Sequence, residues 1–186
     1  MQLTKPKTLG DLKSRNSRLP TVREELRHNL ISKLKSGEEL FPDLVGYSST
    51  VKPDLINALL CGHNMIFLGE RGQGKSRIIR NLTQLLDEEI PAVAGCPIHD
   101  NPFQPICADC KEKLQKLGDN LPLEYVTRDR RLVEKLATSD VSTADLIGEV
   151  DPIKIADGRH LDDESSIHFG LLPRANRSIF AINELP

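Results

Sequence analysis

The sequence predicts an α/β fold organised around a phosphate-binding loop, and three neighbouring features lead there. Gly69-Glu70-Arg71-Gly72-Gln73-Gly74-Lys75-Ser76 matches the pattern G-x-x-x-x-G-K-[ST] at each fixed position. Before it, Asn64-Met65-Ile66-Phe67-Leu68 is a short apolar run suited to a strand buried on both faces. After it, Ile78, Ile79, Leu82, Leu85 and Leu86 recur at helical spacing. Strand, glycine loop and helix in succession form the context in which such a loop grips a polyphosphate. Glycines let backbone N–H groups turn inward, and the helix N-terminus adds partial positive charge. Lys75 is expected to reach the β- and γ-phosphates, and the Ser76 hydroxyl to ligate Mg²⁺. The expected ligand is a nucleoside triphosphate.

Composition bounds the rest. A chain of 186 residues is enough for one domain, or one domain with a short extension. A net charge of −2 gives no overall field for nucleic acid or acidic membranes, so neither is an expected partner. No apolar run approaches the ~20 residues that span a bilayer. Met1-Gln2-Leu3-Thr4-Lys5-Pro6 lacks the apolar core of a secretory signal. With four cysteines and no such signal, a reducing compartment is expected, with the cytoplasm as default.

Taken in order, residues 1–19 are basic and without apolar periodicity, the pattern of a flexible leader. A helix should start at Thr21, which forms a capping-box pair with Glu24. Val22, Leu26, Leu30 and Leu34 give it an apolar stripe, and Gly37 suits its C-terminal cap, so residues 1–39 read as leader plus helix. From residue 40 the nucleotide-binding part begins. A second helix is expected around Pro53–Leu60, stopped by Gly62, with Cys61 beside it as a buried small apolar group.

Residues 91–120 differ in character. Cys96-Pro97-Ile98-His99 and Cys107-Ala108-Asp109-Cys110 each place two soft ligands two residues apart, with seven residues between the pairs. That is how a short segment wraps a tetrahedral Zn²⁺. The tip Asp100-Asn101-Pro102-Phe103-Gln104-Pro105 has little apolar matter to build a core, so a metal would supply stability. Cys96, His99, Cys107 and Cys110 would close the coordination shell, which makes the site structural. Reduced, unliganded thiols and a disulfide are the other readings of the same residues.

Leu121–Thr127 is expected to be a strand and Arg128-Asp129-Arg130-Arg131 a solvated turn. Residues 140–169 look irregular, and their Asp162-Asp163-Glu164 cluster, His160 and His168 receive no role. Ser178–Glu184 reads as a buried strand that ends in polar groups, at the end of the sheet where nucleotides sit in α/β folds. Glu184 is the candidate carboxylate to orient water for attack on the γ-phosphate, and Asn183 would lie nearer Mg²⁺.

The chain resembles an AAA+ ATPase of the group that contains the magnesium-chelatase I subunit and its MoxR relatives. Gly69–Ser76 is similar to that family's Walker A loop. Leu44-Val45-Gly46-Tyr47 resembles the segment that flanks the adenine, which implies that Val45, Gly46 and Tyr47 contact ATP. Asp145-Leu146-Ile147-Gly148-Glu149-Val150-Asp151, followed by Gly158, resembles the chelatase G-x-x-D segment. Gly170–Arg177 resembles the helix that leads into the Walker B strand. The resemblance implies a P-loop NTPase three-layer αβα sandwich with an AAA+ core, sheet order 5-1-4-3-2, and ATP hydrolysis coupled to conformational work in a hexamer-type ring.

Three departures stand out. Asn183 replaces the Walker B aspartate, Ser178 stands where relatives commonly have glycine, and the thiol-rich insertion is foreign to the general pattern. The sequence stops after the third expected strand, so it is expected to be the N-terminal part of a longer ATPase, nearly inactive alone. An enhancer-binding transcription activator shares this core, but the interval before Walker B reads Gly148-Glu149-Val150-Asp151-Pro152 rather than that class's loop. A non-hydrolysing module stabilised by nucleotide and zinc is the remaining alternative.

Overall fold

A computed structural model describes residues 5–15, 17–151, 153 and 166–184. Gly158, His160 and the Asp162-Asp163-Glu164 cluster lie outside the described residues. The chain divides into two compact units, Pro20–Glu89 and Met1–Leu19 with Ile90–Pro186.

In the Pro20–Glu89 unit, α2 (Val22–Ser36) begins at the Thr21–Glu24 capping box and ends on Gly37 in the left-handed region, as its sequence signals predict. Its stripe buries Leu26 and Leu30 but leaves Leu34 exposed. α2 packs on α3 (Val51–Cys61) and on the 3₁₀ turn Leu82–Leu85. Polar anchors fix the second contact. The Glu25 carboxylate, itself buried, accepts from Asp87 N at 2.7 Å, and Asn29 Nδ2 donates to Leu85 O at 3.0 Å. α4 (Lys75–Asn81) follows the glycine loop and continues into that 3₁₀ turn. Ile78, Leu82, Leu85 and Leu86 are buried.

The apolar run Asn64–Leu68 departs from expectation. It forms no strand, and Ile66 and Leu68 are 83% and 89% exposed. Apolar character states what a strand needs buried, whereas the strand itself is made by hydrogen bonds to a neighbour. No described residue pairs with this run. Cys61, expected to be buried, is exposed at the end of α3.

In the other unit, residues expected to form a flexible leader are folded. α1 (Leu9–Lys13) carries a Thr8–Asp11 capping box and buries Leu9 and Leu12. Thr8 and Pro122 form an antiparallel bridge, Leu9 N donates to Leu121 O and Leu123 N to Lys7 O, both at 2.9 Å. Two apolar positions on a five-residue helix are too few for periodicity to reveal, and the partners of Leu9 lie far along the chain.

β1 (Glu89–Val93) pairs with β2 (Leu123–Thr127), and α5 (Ala108–Leu117) lies between them in sequence. β3 (Leu132–Leu136) pairs in parallel with β6 (Ile179–Asn183), in the register Leu132↔Ile179 to Leu136↔Asn183. The parallel neighbour of the last strand is therefore β3, which the periodicity does not single out, and not the expected Leu121–Thr127 strand. α6 (Thr143–Ile147) leads into β4 (Gly148–Val150), antiparallel to β5 (Ile167–Phe169), and α7 (Leu171–Arg174) precedes β6. Gly148 is required where these two strands meet. Its φ is +116°, and a Cβ there would stand 2.3 Å from His168 O.

The basic run also differs from its expected solvated turn. Arg131 is 1% exposed and donates to Arg177 O through Nε at 3.0 Å and Nη2 at 2.9 Å. Among the described residues, no helix is long and apolar enough to cross a membrane.

Candidate nucleotide and metal sites

The glycine loop is set by its backbone. Gly69, Gly72 and Gly74 have φ of +150°, +85° and +70°, a region costly to residues with a Cβ. Gly74 caps α4, and its carbonyl accepts the first helical bond, from Ile78 N at 2.9 Å. Lys75 is half-buried and folds back over the loop, with Nζ donating at 2.7 Å to Gly69 O and at 2.7 Å to Glu70 O. Its ammonium is thus held at the loop's centre by neutral carbonyls, which an anion can displace because charge-assisted bonds are the stronger ones. Glu70, Arg71, Gln73 and Ser76 are exposed.

Tyr47 joins this loop, its hydroxyl donating to Gln73 O at 2.8 Å. Beside it Val45 is 85% exposed and Gly46 has φ +84°. The sequence-predicted residues from 45 to 47 and from 69 to 76 all fall in the Pro20–Glu89 unit.

Asn183 and Glu184 fall in the other unit. Asn183 is the last residue of β6, opposite Leu136, and its carbonyl accepts from Ala137 N at 2.8 Å. Glu184 follows, exposed and with φ +56°. A non-glycine residue in the left-handed region is uncommon and such strain gathers at functional sites.

The thiol-rich segment is a buried centre. Cys96, Asp100, Cys107 and Cys110 offer ligand atoms that all lie within 4.8 Å of one another, and the four residues are buried. Cys96 Sγ is 3.9 Å from Cys107 Sγ, and Cys110 N donates to Cys107 Sγ at 3.4 Å as Cys107 caps α5. Asp100 ties the loop together. Its Oδ2 accepts from Ile106 N at 2.8 Å and Cys107 N at 3.0 Å, and Oδ1 accepts from Asn101 N at 3.1 Å.

This grouping contains Asp100 where the sequence reading has His99. His99 stands at φ +51° in the turn whose N–H returns to Cys96 O, and its Nδ1 lies 3.9 Å from Glu124 Oε1. Burial, then the Arg130 charge, holds its pKa below the usual value, so its ring is neutral near pH 7. Burial pushes the Cys107 thiol up to about 11 against hydrogen bonds from Cys110 that lower it, and burial raises Cys110 as well, where the neighbouring thiols add to the effect. Metal binding reverses that preference, because a coordinated thiol is deprotonated outright. Spacing rules treat cysteine and histidine as the soft ligands and so pass over Asp100, although it lies between the two ligand pairs.

Around the thiols, Leu9, Val93, Ile98 and Leu121 are buried, with Phe103, Leu114 and Phe169 packed against them. The insertion therefore shares a core with α1 and β5.

Comparison with known proteins adds a lineage. The chain is 32% identical to the Magnesium-chelatase subunit ChlI homolog of Methanocaldococcus jannaschii over 78% of its own length and 37% of the relative's. It is 30% identical to Magnesium-chelatase subunit ChlI of Anabaena variabilis, over 65% of this chain and 33% of that one. Its curated homologues are ChlI subunits. A chloroplastic relative, Magnesium-chelatase subunit ChlI-2 of Arabidopsis thaliana, is 31% identical over 65% of the chain and 27% of the relative. The ChlI-like chain spans about a third of the length of the curated relatives it matches. No family model matches it, and no solved structure matches it. The mixed α/β architecture with its parallel β3–β6 pair is compatible with part of a P-loop NTPase.

Proposed function

We propose that this ChlI-like chain supplies the nucleotide-binding part of an AAA+ ATPase that works as a hexamer-type ring and couples ATP hydrolysis to conformational work on a partner protein. The observation that carries this is the Lys75 ammonium gathered onto Gly69 O and Glu70 O by a positive-φ glycine loop. Homology to ChlI subunits supports the same reading.

The residues present fit ATP and magnesium. The loop is open to solvent, its backbone turns on glycines, and the Ser76 hydroxyl is exposed in the first turn of α4. Lys75 would exchange its two carbonyl partners for β- and γ-phosphate oxygens, while the N–H groups of Gly69 to Ser76 line the phosphates. Val45, Gly46 and Tyr47 would flank the base, with Tyr47 keeping that segment on the loop through Gln73. Ser76 would hold magnesium, which neutralises charge on the β- and γ-oxygens when bound. Glu184 would orient the attacking water and accept its proton. A neighbouring subunit's arginine would then stabilise the charge that spreads during transfer.

One residue favours a second reading. The Asn183 amide holds a hard cation less strongly than a carboxylate, as in a module that binds nucleotide without turning it over. Steady-state phosphate release by a protein of the relatives' full length separates the two. The motor reading expects turnover that Glu184→Gln abolishes while ATP stays bound. Turnover by the Glu184→Gln protein removes that residue from its role, and ATP binding without turnover in the unmodified protein establishes the second reading.

A further inference from the structure

We propose that Cys96, Asp100, Cys107 and Cys110 hold one zinc ion, with the Asp100 carboxylate as fourth ligand, and that this ion fixes the loop on which the lead-in to β6 rests. The inference stands apart from the ATPase reading, since none of these residues belongs to the nucleotide loop or to Glu184.

Distance sets the nuclearity and coordination. Zinc–sulfur bonds of about 2.3 Å at a tetrahedral centre place two sulfurs about 3.8 Å apart. Cys96 Sγ and Cys107 Sγ are 3.9 Å apart. All four donor atoms lie within 4.8 Å of one another, room for a single ion and not for a cluster. Soft thiolates with one carboxylate in a closed tetrahedral shell select zinc over magnesium or calcium, which take oxygen ligands.

Proximity to the three thiols selects Asp100, and lone-pair accounting leaves it room for the ion. An ionised carboxylate offers about four acceptor positions. Backbone N–H groups of Ile106, Cys107 and Asn101 use three of them, two on Oδ2 and one on Oδ1. One position on Oδ1 remains, on a residue 1% exposed. The same three bonds fix the carboxylate as outer-shell hydrogen bonds fix metal ligands elsewhere. The Cys110 N–H to Cys107 Sγ bond likewise favours a thiolate at that position.

The ligand loop also reaches the last strand. Ile98, between Cys96 and Asp100, accepts from Asn176 Nδ2 through its carbonyl at 3.1 Å. Arg177 beside it donates from Nη1 to Pro91 O at 2.7 Å, and Ser178 leads directly into β6. An ion bound on both sides of Ile98 holds the acceptor that sets Asn176, three residues before the strand begins.

The chain purified without chelator should contain one equivalent of zinc. Cobalt(II) exchanged into it should give a tetrahedral visible spectrum with charge-transfer intensity for three thiolates. Asp100→Ala and Cys107→Ser should lose the metal, and His99→Ala should keep it. Should either variant fail to fold, Asp100→Asn, which retains an oxygen acceptor for the loop N–H groups, should bind cobalt at least roughly tenfold more weakly. Chelation should speed amide exchange across 176–183. No zinc and no thiolate band in the unmodified chain would overturn the site. Metal retained by Asp100→Ala but lost by His99→Ala would overturn the ligand set. Unchanged exchange at 176–183 after metal removal would overturn the link to β6.

Discussion

The glycine loop and the thiol centre solve opposite problems. The loop lies open, its conformation set by the φ values of Gly69, Gly72 and Gly74 and by Lys75 folding onto its own carbonyls. Everything that shapes it lies within a few residues, apart from the bond from Tyr47. The thiol centre is buried, and its packing partners Leu9, Leu121 and Phe169 come from far along the chain. A site for an exchanging ligand can be local and exposed, whereas one that fixes a fold must gather distant segments and exclude water.

The contrast predicts that the two regions fail differently. Leu121→Ala should have the largest effect on stability. Leu121 is fully buried between α1 and the thiol loop, and truncating such a residue costs about 2–5 kcal/mol. Thermal unfolding would show it, with ATP-analogue affinity at the glycine loop unchanged. An equally large loss of affinity would break the separation of roles.

Locality also explains what the sequence reveals. The glycine turn into α4 and the α2 capping box with its Gly37 end follow from residues adjacent in sequence, and each is found. The buried strand expected over Ser178–Glu184 is a strand over Ile179–Asn183, but only its Ala181 is buried and Ile182 is exposed. What escaped depends on partners elsewhere. Asn64–Leu68 has strand composition but no neighbour among the described residues. Leu9 gains its burial among Val93, Ile98, Leu121 and the thiols, residues distant in sequence. Arg131 looks like part of a solvated charge run until Arg177 O is brought to it. Asp100 joins the thiols where the backbone N–H groups of Ile106 and Cys107 hold its carboxylate.

A smaller effect sharpens the comparison from the other side. Thr21 accepts from Glu24 N and caps α2, so Thr21→Ala should lower stability by about 1 kcal/mol. Denaturant unfolding would detect this as a lower midpoint, and zinc content should not change. Loss of metal in this variant would contradict the independence of the two regions.

The central claim is that Lys75 and its glycine loop bind a nucleoside triphosphate. Titration with a fluorescent ATP analogue, using the unmodified chain and Lys75→Ala, tests it most directly. The ammonium is the charge the loop aims at the β- and γ-phosphates, and a charged hydrogen bond contributes roughly 1.5–3 kcal/mol. Affinity should therefore fall about tenfold or more. Equal affinity of the two proteins for the analogue would contradict the account.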